Sequence, residues 1–153
     1  SEIEPRYSIE TIEVELEVPA TIPSQQLTDS TGRTVSFPKF RSSCIVTCAV
    51  DIDTRTGSIV RASVKDSSLD LGLAEPPSSD LEHNSAMNIL YIQVINPSDC
   101  ITIASDKKSF RINAEMEAKV HYEIIWMNTT PPVPSLYEDL YFNISGSATY
   151  RTA

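Results

Sequence analysis

Every second residue from Phe110 to Trp126 is apolar: Phe110, Ile112, Ala114, Met116, Ala118, Val120, Tyr122, Ile124 and Trp126. Between them lie Arg111, Asn113, Glu115, Glu117, Lys119, His121, Glu123 and Ile125, polar in all but the last case. Side chains alternate faces along a strand, so the pattern predicts one long strand with a buried and a solvated face. It would run roughly 50 Å, against a usual strand length of ~5–6 residues. The competing arrangement breaks near Asn113, because Ala114–Lys119 holds good helix formers with Glu115 and Lys119 at helical spacing. The alternation is the longer signal. A strand is expected, with a bulge or bend allowed inside it.

The same period recurs elsewhere. Ile12, Val14, Leu16 and Val18 alternate with Glu13, Glu15 and Glu17, giving a half-buried strand over residues 9–18. Residues 19–42 read as a long connection punctuated by Pro19, Pro23 and Pro38, with a turn at Thr31-Gly32 and a short edge strand around Val35–Phe40. Ser43–Asp53, a turn over Thr54–Gly57 and Ser58–Lys65 predict a hairpin with Val60, Ala62 and Val64 on one face. Met87–Ile95 is a strand ended by Asn96-Pro97. Cys100–Ala104 and Ser109–Ile112 flank a polar turn. The last strand, Tyr137–Arg151, sets Leu140, Phe142 and Ile144 against Tyr141, Asn143 and Ser145. About eight strands and almost no helix, in one domain over residues 1–153, predict an all-β chain folded as an antiparallel β-sandwich or barrel.

Composition agrees: Leu is sparse beside Ile, Val, Thr and Ser, and 10 prolines against 4 glycines make stiff loops. There is no run of eighteen apolar residues, so neither a membrane span nor an opening signal peptide is expected in these residues, although a mature or excised fragment would hide such a signal. The net charge of −9 argues against a phosphate-binding surface, since nucleic-acid contacts are made mostly by Lys and Arg. Residues 33–65 reverse that balance with six bases and two acids, so Glu13, Glu15 and Glu17 are expected to lie near this segment, where Arg61 and Lys65 face outward. Cys44 and Cys48 would share a strand face about 13 Å apart, too far for a disulfide. With Cys100 they are expected as buried free thiols, which favours a reducing compartment.

Two stretches read as binding loops. Residues 66–86 hold five acids, no Lys or Arg and a Pro-Pro pair, a long excursion that reads either as a surface connection with one helical turn or as a receptor-binding loop. Pro131, Pro132, Val133, Leu136 and Tyr137 form an apolar, stiff strip that a partner could order at little entropic cost. Catalytic chemistry is not expected. His83 and His121 are the only histidines, with no nucleophile elbow, glycine-rich phosphate loop or metal-binding helix near them. No cofactor or metal is expected either. Asp51 to Gly57 has the outline of a calcium loop, but Arg55 stands where an oxygen ligand belongs. Asn128 and Asn143 match the glycan acceptor pattern, the latter inside a predicted strand.

KVHYEIIW at 119–126, TTPPVPS at 129–135 and LYFNISGSATY at 140–150 together resemble the end of the jelly-roll coat proteins of small spherical RNA viruses, where two long closing strands are joined by a Pro-rich loop. The resemblance is architectural and carries no invariant motif. It implies a jelly-roll-like sandwich and a non-enzymatic capsid protein that self-associates into a particle, located in the virion. One departure stands out: residues 1–17 carry six acids and only Arg6, where coats that package RNA commonly have a basic arm. That points to a protruding domain, a coat neutralised by other means, or a fragment. The alternative is a secreted or cell-surface β-sandwich module for binding or adhesion, extracellular in location. It lacks the Cys…Trp…Cys order of immunoglobulin domains, since Trp126 follows all three cysteines.

Overall fold

Residues 8–70, 78–79, 82–127 and 129–152 are described by the computed structural model, and they form strands without any helix. In chain order these are β1 (Ile9–Ile22), β2 (Gln25–Thr28), β3 (Thr34–Phe37), β4 (Phe40–Asp53), β5 (Ser58–Leu69), β6 (Ser78–Ser79), β7 (His83–Val94), β8 (Ile101–Ile103), β9 (Ser109–Trp126) and β10 (Leu136–Arg151). The first layer is β1-β4-β5. The second is β10-β9-β7-β6 with β8 also on β9, and β2-β3 is a separate hairpin. All pairings are antiparallel. The expected antiparallel sandwich is what forms. Each layer is a meander of strands near one another in sequence, whereas a jelly roll crosses between layers by Greek-key connections.

The 110–126 alternation gives a single 18-residue strand. Phe110, Ile112, Ala114, Met116, Ala118, Val120, Tyr122 and Ile124 all point inward and are buried. Such length needs neighbours. β10 pairs with β9 from end to end, while β7 covers Met116–Trp126 and β8 covers Phe110–Ile112 on the other side. Ala114–Lys119, the helical alternative, lies in a ladder with Tyr141–Gly146 on one side, and Met116–Lys119 have β7 on the other. Tertiary pairing overrides local propensity there.

Four expectations shift. The edge strand expected around Val35–Phe40 is confined to β3, Thr34–Phe37, and Phe40 instead opens β4, ahead of the expected start at Ser43. Strand β1 runs on through Pro19 to Ile22, so the first connection begins at Pro23, not Pro19. A proline is tolerated because β1 is an edge strand: the Pro19 carbonyl faces Gly146 of β10, so its nitrogen lies on that same outer side and no ladder bond is lost. Val60 does not share the inward face of Ala62 and Val64. A bulge pairs Asp51 with Arg61 but Ile52 with Ile59, which puts Ile59 inside and leaves Val60 51% exposed. The 66–86 excursion is shorter than expected, since β5 continues to Leu69 and β7 starts at His83; residues 71–77 and 80–81 lie outside the described residues.

The core lies between the layers and is closed at one side by the β2-β3 hairpin, whose Leu27, Val35 and Phe37 are buried. Cys44, Cys48 and Cys100 are free and buried. Burial, with Cys100 nearby, pushes the Cys48 thiol up to about 11, far from a reactive thiolate. The layers close on each other at both margins, where β10 runs against β1 and β5 against β7. No described helix is long and apolar enough to cross a membrane.

Candidate functional site

Three connections converge at one end of the sandwich: the turn into β3, the residue leading into β7 and the exit of β9. Between them lies an open pocket of about 410 Å³, within the size range of small-ligand sites. Trp126 is the last residue of β9 and pairs in register with His83, the first of β7, their rings 5.2 Å apart. Arg33 enters from the β2-β3 turn and holds its guanidinium 5.4 Å from the centre of the indole ring. That turn is fixed locally. Asp29 Oδ1 accepts from Thr31 N at 2.8 Å, Thr31 Oγ1 at 2.6 Å and Arg33 N at 3.0 Å, and Gly32 takes a φ of 88°. The Thr31 hydroxyl bond is the main reason the Asp29 carboxyl sits below the ordinary range. Glu82 and Met127 complete the wall, the Met127 N–H donating to the Glu82 carbonyl at 2.8 Å. The Trp126 Nε1–H is covered and has no acceptor.

The proline loop leaves β9 beside this pocket. Pro131, Pro132 and Pro134 are exposed, and Val133 is half-buried, its N–H donated to Thr129 Oγ1 at 3.0 Å. Leu136 opens β10 opposite Ile124 and packs on the core. Tyr137 is 58% exposed and stacks on His121 with ring centres 6.2 Å apart. Within the expected partner strip, Pro131, Pro132 and Tyr137 therefore form the surface, while Leu136 anchors it. Asn143 faces outward in β10, and Asn128 lies outside the described residues.

A charged cluster continues along the outer face of β9 and β10. His121 Nδ1 lies 2.6 Å from Asp139 Oδ1, and Nε2 lies 3.0 Å from Glu123 Oε1. Lys119 Nζ is 3.8 Å from Asp139 Oδ2 and 5.4 Å from the Tyr141 ring centre. On β7 the residue opposite His121 is Asn88. Two carboxylate acceptors are both satisfied only by an imidazole carrying two protons, and the Asp139 bond, then the Glu123 bond, raises the His121 pKa. The stabilisation is therefore fully present below the unfolded value of 6.5 and is lost as pH rises through the raised folded value. The difference in urea midpoint between the wild type and His121→Gln should be largest at acid pH and shrink towards pH ~9; a gap that widens on going alkaline would overturn it.

The first-strand carboxylates are partly matched as expected. Lys65 reaches across β4 to Glu13, but Glu17 accepts from the Ser43 hydroxyl at 3.0 Å. Arg61 pairs instead with Asp51 at 3.0 Å, and Arg55 with Asp53 at 3.4 Å, so both acids of the calcium-like loop are engaged by guanidinium groups. Among the described residues no group of His, Cys, Asp and Glu is placed to hold a metal ion. The sequence pattern does not single out Arg33, Glu82, Asp139 or Tyr141, nor the part Trp126 plays in the pocket. Asp139 is reachable by counting back along the β9-β10 hairpin; the pocket residues come from three separate segments with no shared spacing. No family model, curated protein or solved structure matches this chain.

Proposed function

We propose that the chain is a non-enzymatic β-sandwich domain that works by association, self-assembling as a coat or protruding domain of a virion. The observation that carries the reading is the outer β9-β10 surface. Tyr137 and Tyr141 are 58% and 60% exposed on a strand pair held by continuous pairing, beside the exposed prolines of the connecting loop. Tyrosine supplies large, rigid, amphipathic contact area at small entropic cost, which is why it is enriched where proteins meet. The His121 pair supports the same reading, because both of its ring nitrogens are engaged by carboxylates and neither is presented to a nucleophile.

The meander connectivity of both layers favours a second reading, a secreted or cell-surface binding module. Sedimentation and negative-stain microscopy separate the two. Shells or symmetric assemblies support the virion domain, and a persistent monomer supports the binding module. Replacing Tyr137 and Tyr141 by Ser, with Leu136 kept as an anchor, should abolish self-association and leave the melting temperature nearly unchanged. Unaltered assembly of this variant would remove the face from the interface.

A further inference from the structure

We infer that the pocket at the β3, β7 and β9 end binds a ligand through a single carboxylate, with an apolar body against Trp126 and Met127. The donors are in place. Arg33 lies over the indole at 5.4 Å, and a guanidinium carries N–H edges that can take both oxygens of a carboxylate side-on. Among the described residues Arg33 makes no ion pair. The Trp126 Nε1–H is covered and has no acceptor, so the indole offers the pocket its ring while Arg33 supplies the donors. The volume of about 410 Å³ suits a small molecule or the last residues of a peptide.

Charge limits the ligand further. Glu82 stands on the same wall, and the chain carries a net charge of −9. A dianionic phosphate or a polyanion would meet repulsion from that net charge, whereas one carboxylate matches one guanidinium. That carboxylate belongs either to a free organic acid or to a peptide C-terminus, which offer the pocket the same group.

Trp126 is the only tryptophan, so its emission and its one indole N–H resonance report on this pocket alone. Four probes would be titrated: 4-phenylbutyrate, the neutral 4-phenylbutanol, an N-acetylated tripeptide ending in phenylalanine, and the C-terminal amide of that tripeptide. The expected result is a saturable emission change and a shift of the indole N–H resonance with at least one acid and with neither neutral analogue. Saturation by phenylbutyrate alone identifies a free acid, and by the peptide alone a chain terminus. Arg33 is exposed, so Arg33→Gln should melt as the wild type does and bind about tenfold or more weakly. Arg33→Lys, keeping charge but losing the fork, should fall between. Equal binding of acid and neutral analogue, unchanged affinity in Arg33→Gln, or no saturation by any probe would overturn the inference.

Discussion

Replacing Gly146 by Ala should destabilise the protein by about 3 kcal/mol, a large effect for the addition of one methyl group. A Cβ at this position would lie 2.1 Å from the Pro19 carbonyl oxygen, 2.9 Å from Met116 Cε and 3.0 Å from Val18 Cγ1. The methionine methyl can swing away. The carbonyl cannot, because Pro19 belongs to β1, which is paired with β4 on both sides of that residue. Alanine would otherwise be favoured in a strand by roughly 0.5–1 kcal/mol, since glycine loses more backbone freedom on folding. The clash outweighs that gain, and it falls at the margin where β10 closes against β1. Urea unfolding at neutral pH measures it; a Gly146→Ala chain as stable as the wild type would mean that the two layers do not approach each other so closely in solution.

That margin illustrates what the sequence can and cannot reveal. The inward face of β9 is legible because nine alternating residues outweigh a six-residue helical segment. The hairpins β4-β5 and β9-β10 are legible because apolar periodicity stops at recognisable turns. Strand β2 is not, since QQLT puts only Leu27 inside and offers no period to count. Counting by twos places Val60 on the wrong face because a bulge adds one residue without any change in composition. The exposed Leu90 has the same origin: Ile89 pairs with Val120 and Tyr91 with Lys119, leaving Leu90 as the extra residue. Pro19 reads as a strand end, yet proline is excluded only where the ladder uses its N–H, and which side of β1 carries those bonds depends on the whole sheet. The pocket needs the fold most of all. Arg33, Glu82 and Trp126 are far apart in sequence, and only the convergence of three strand ends makes them neighbours. The proline loop, by contrast, is visible as a stiff apolar strip, and its surface residues can be named from sequence, although Leu136 proves to be its anchor.

The largest loss is expected for Tyr122→Ala, about 3–5 kcal/mol. Tyr122 is fully buried near the end of β9, and Phe37 meets it edge-on, with ring centres 4.8 Å apart and planes inclined at 71°. A cost of this size is a fifth or more of the ~5–15 kcal/mol that holds a typical domain folded. Its consequence is uneven. Phe37 belongs to the β2-β3 hairpin, two strands of four residues each, too small to be stable without something to rest on. Removing the Tyr122 ring takes away the surface under Phe37, so the hairpin should loosen before the sandwich does. Tyr122→Phe keeps the ring and should retain most of the hairpin's protection. A double-mutant cycle between Phe37→Ala and Tyr122→Ala should return a coupling of about 1 kcal/mol, the extra value of an edge-to-face pair beyond buried area. Amide exchange supplies the second reading: in Phe37→Ala the β2-β3 amides should exchange early while β9 stays protected. Simultaneous loss of both, with no coupling in the cycle, would mean that the hairpin is an integral part of the sandwich rather than a cap resting on it. The turn that carries Arg33 would then be as rigid as β9.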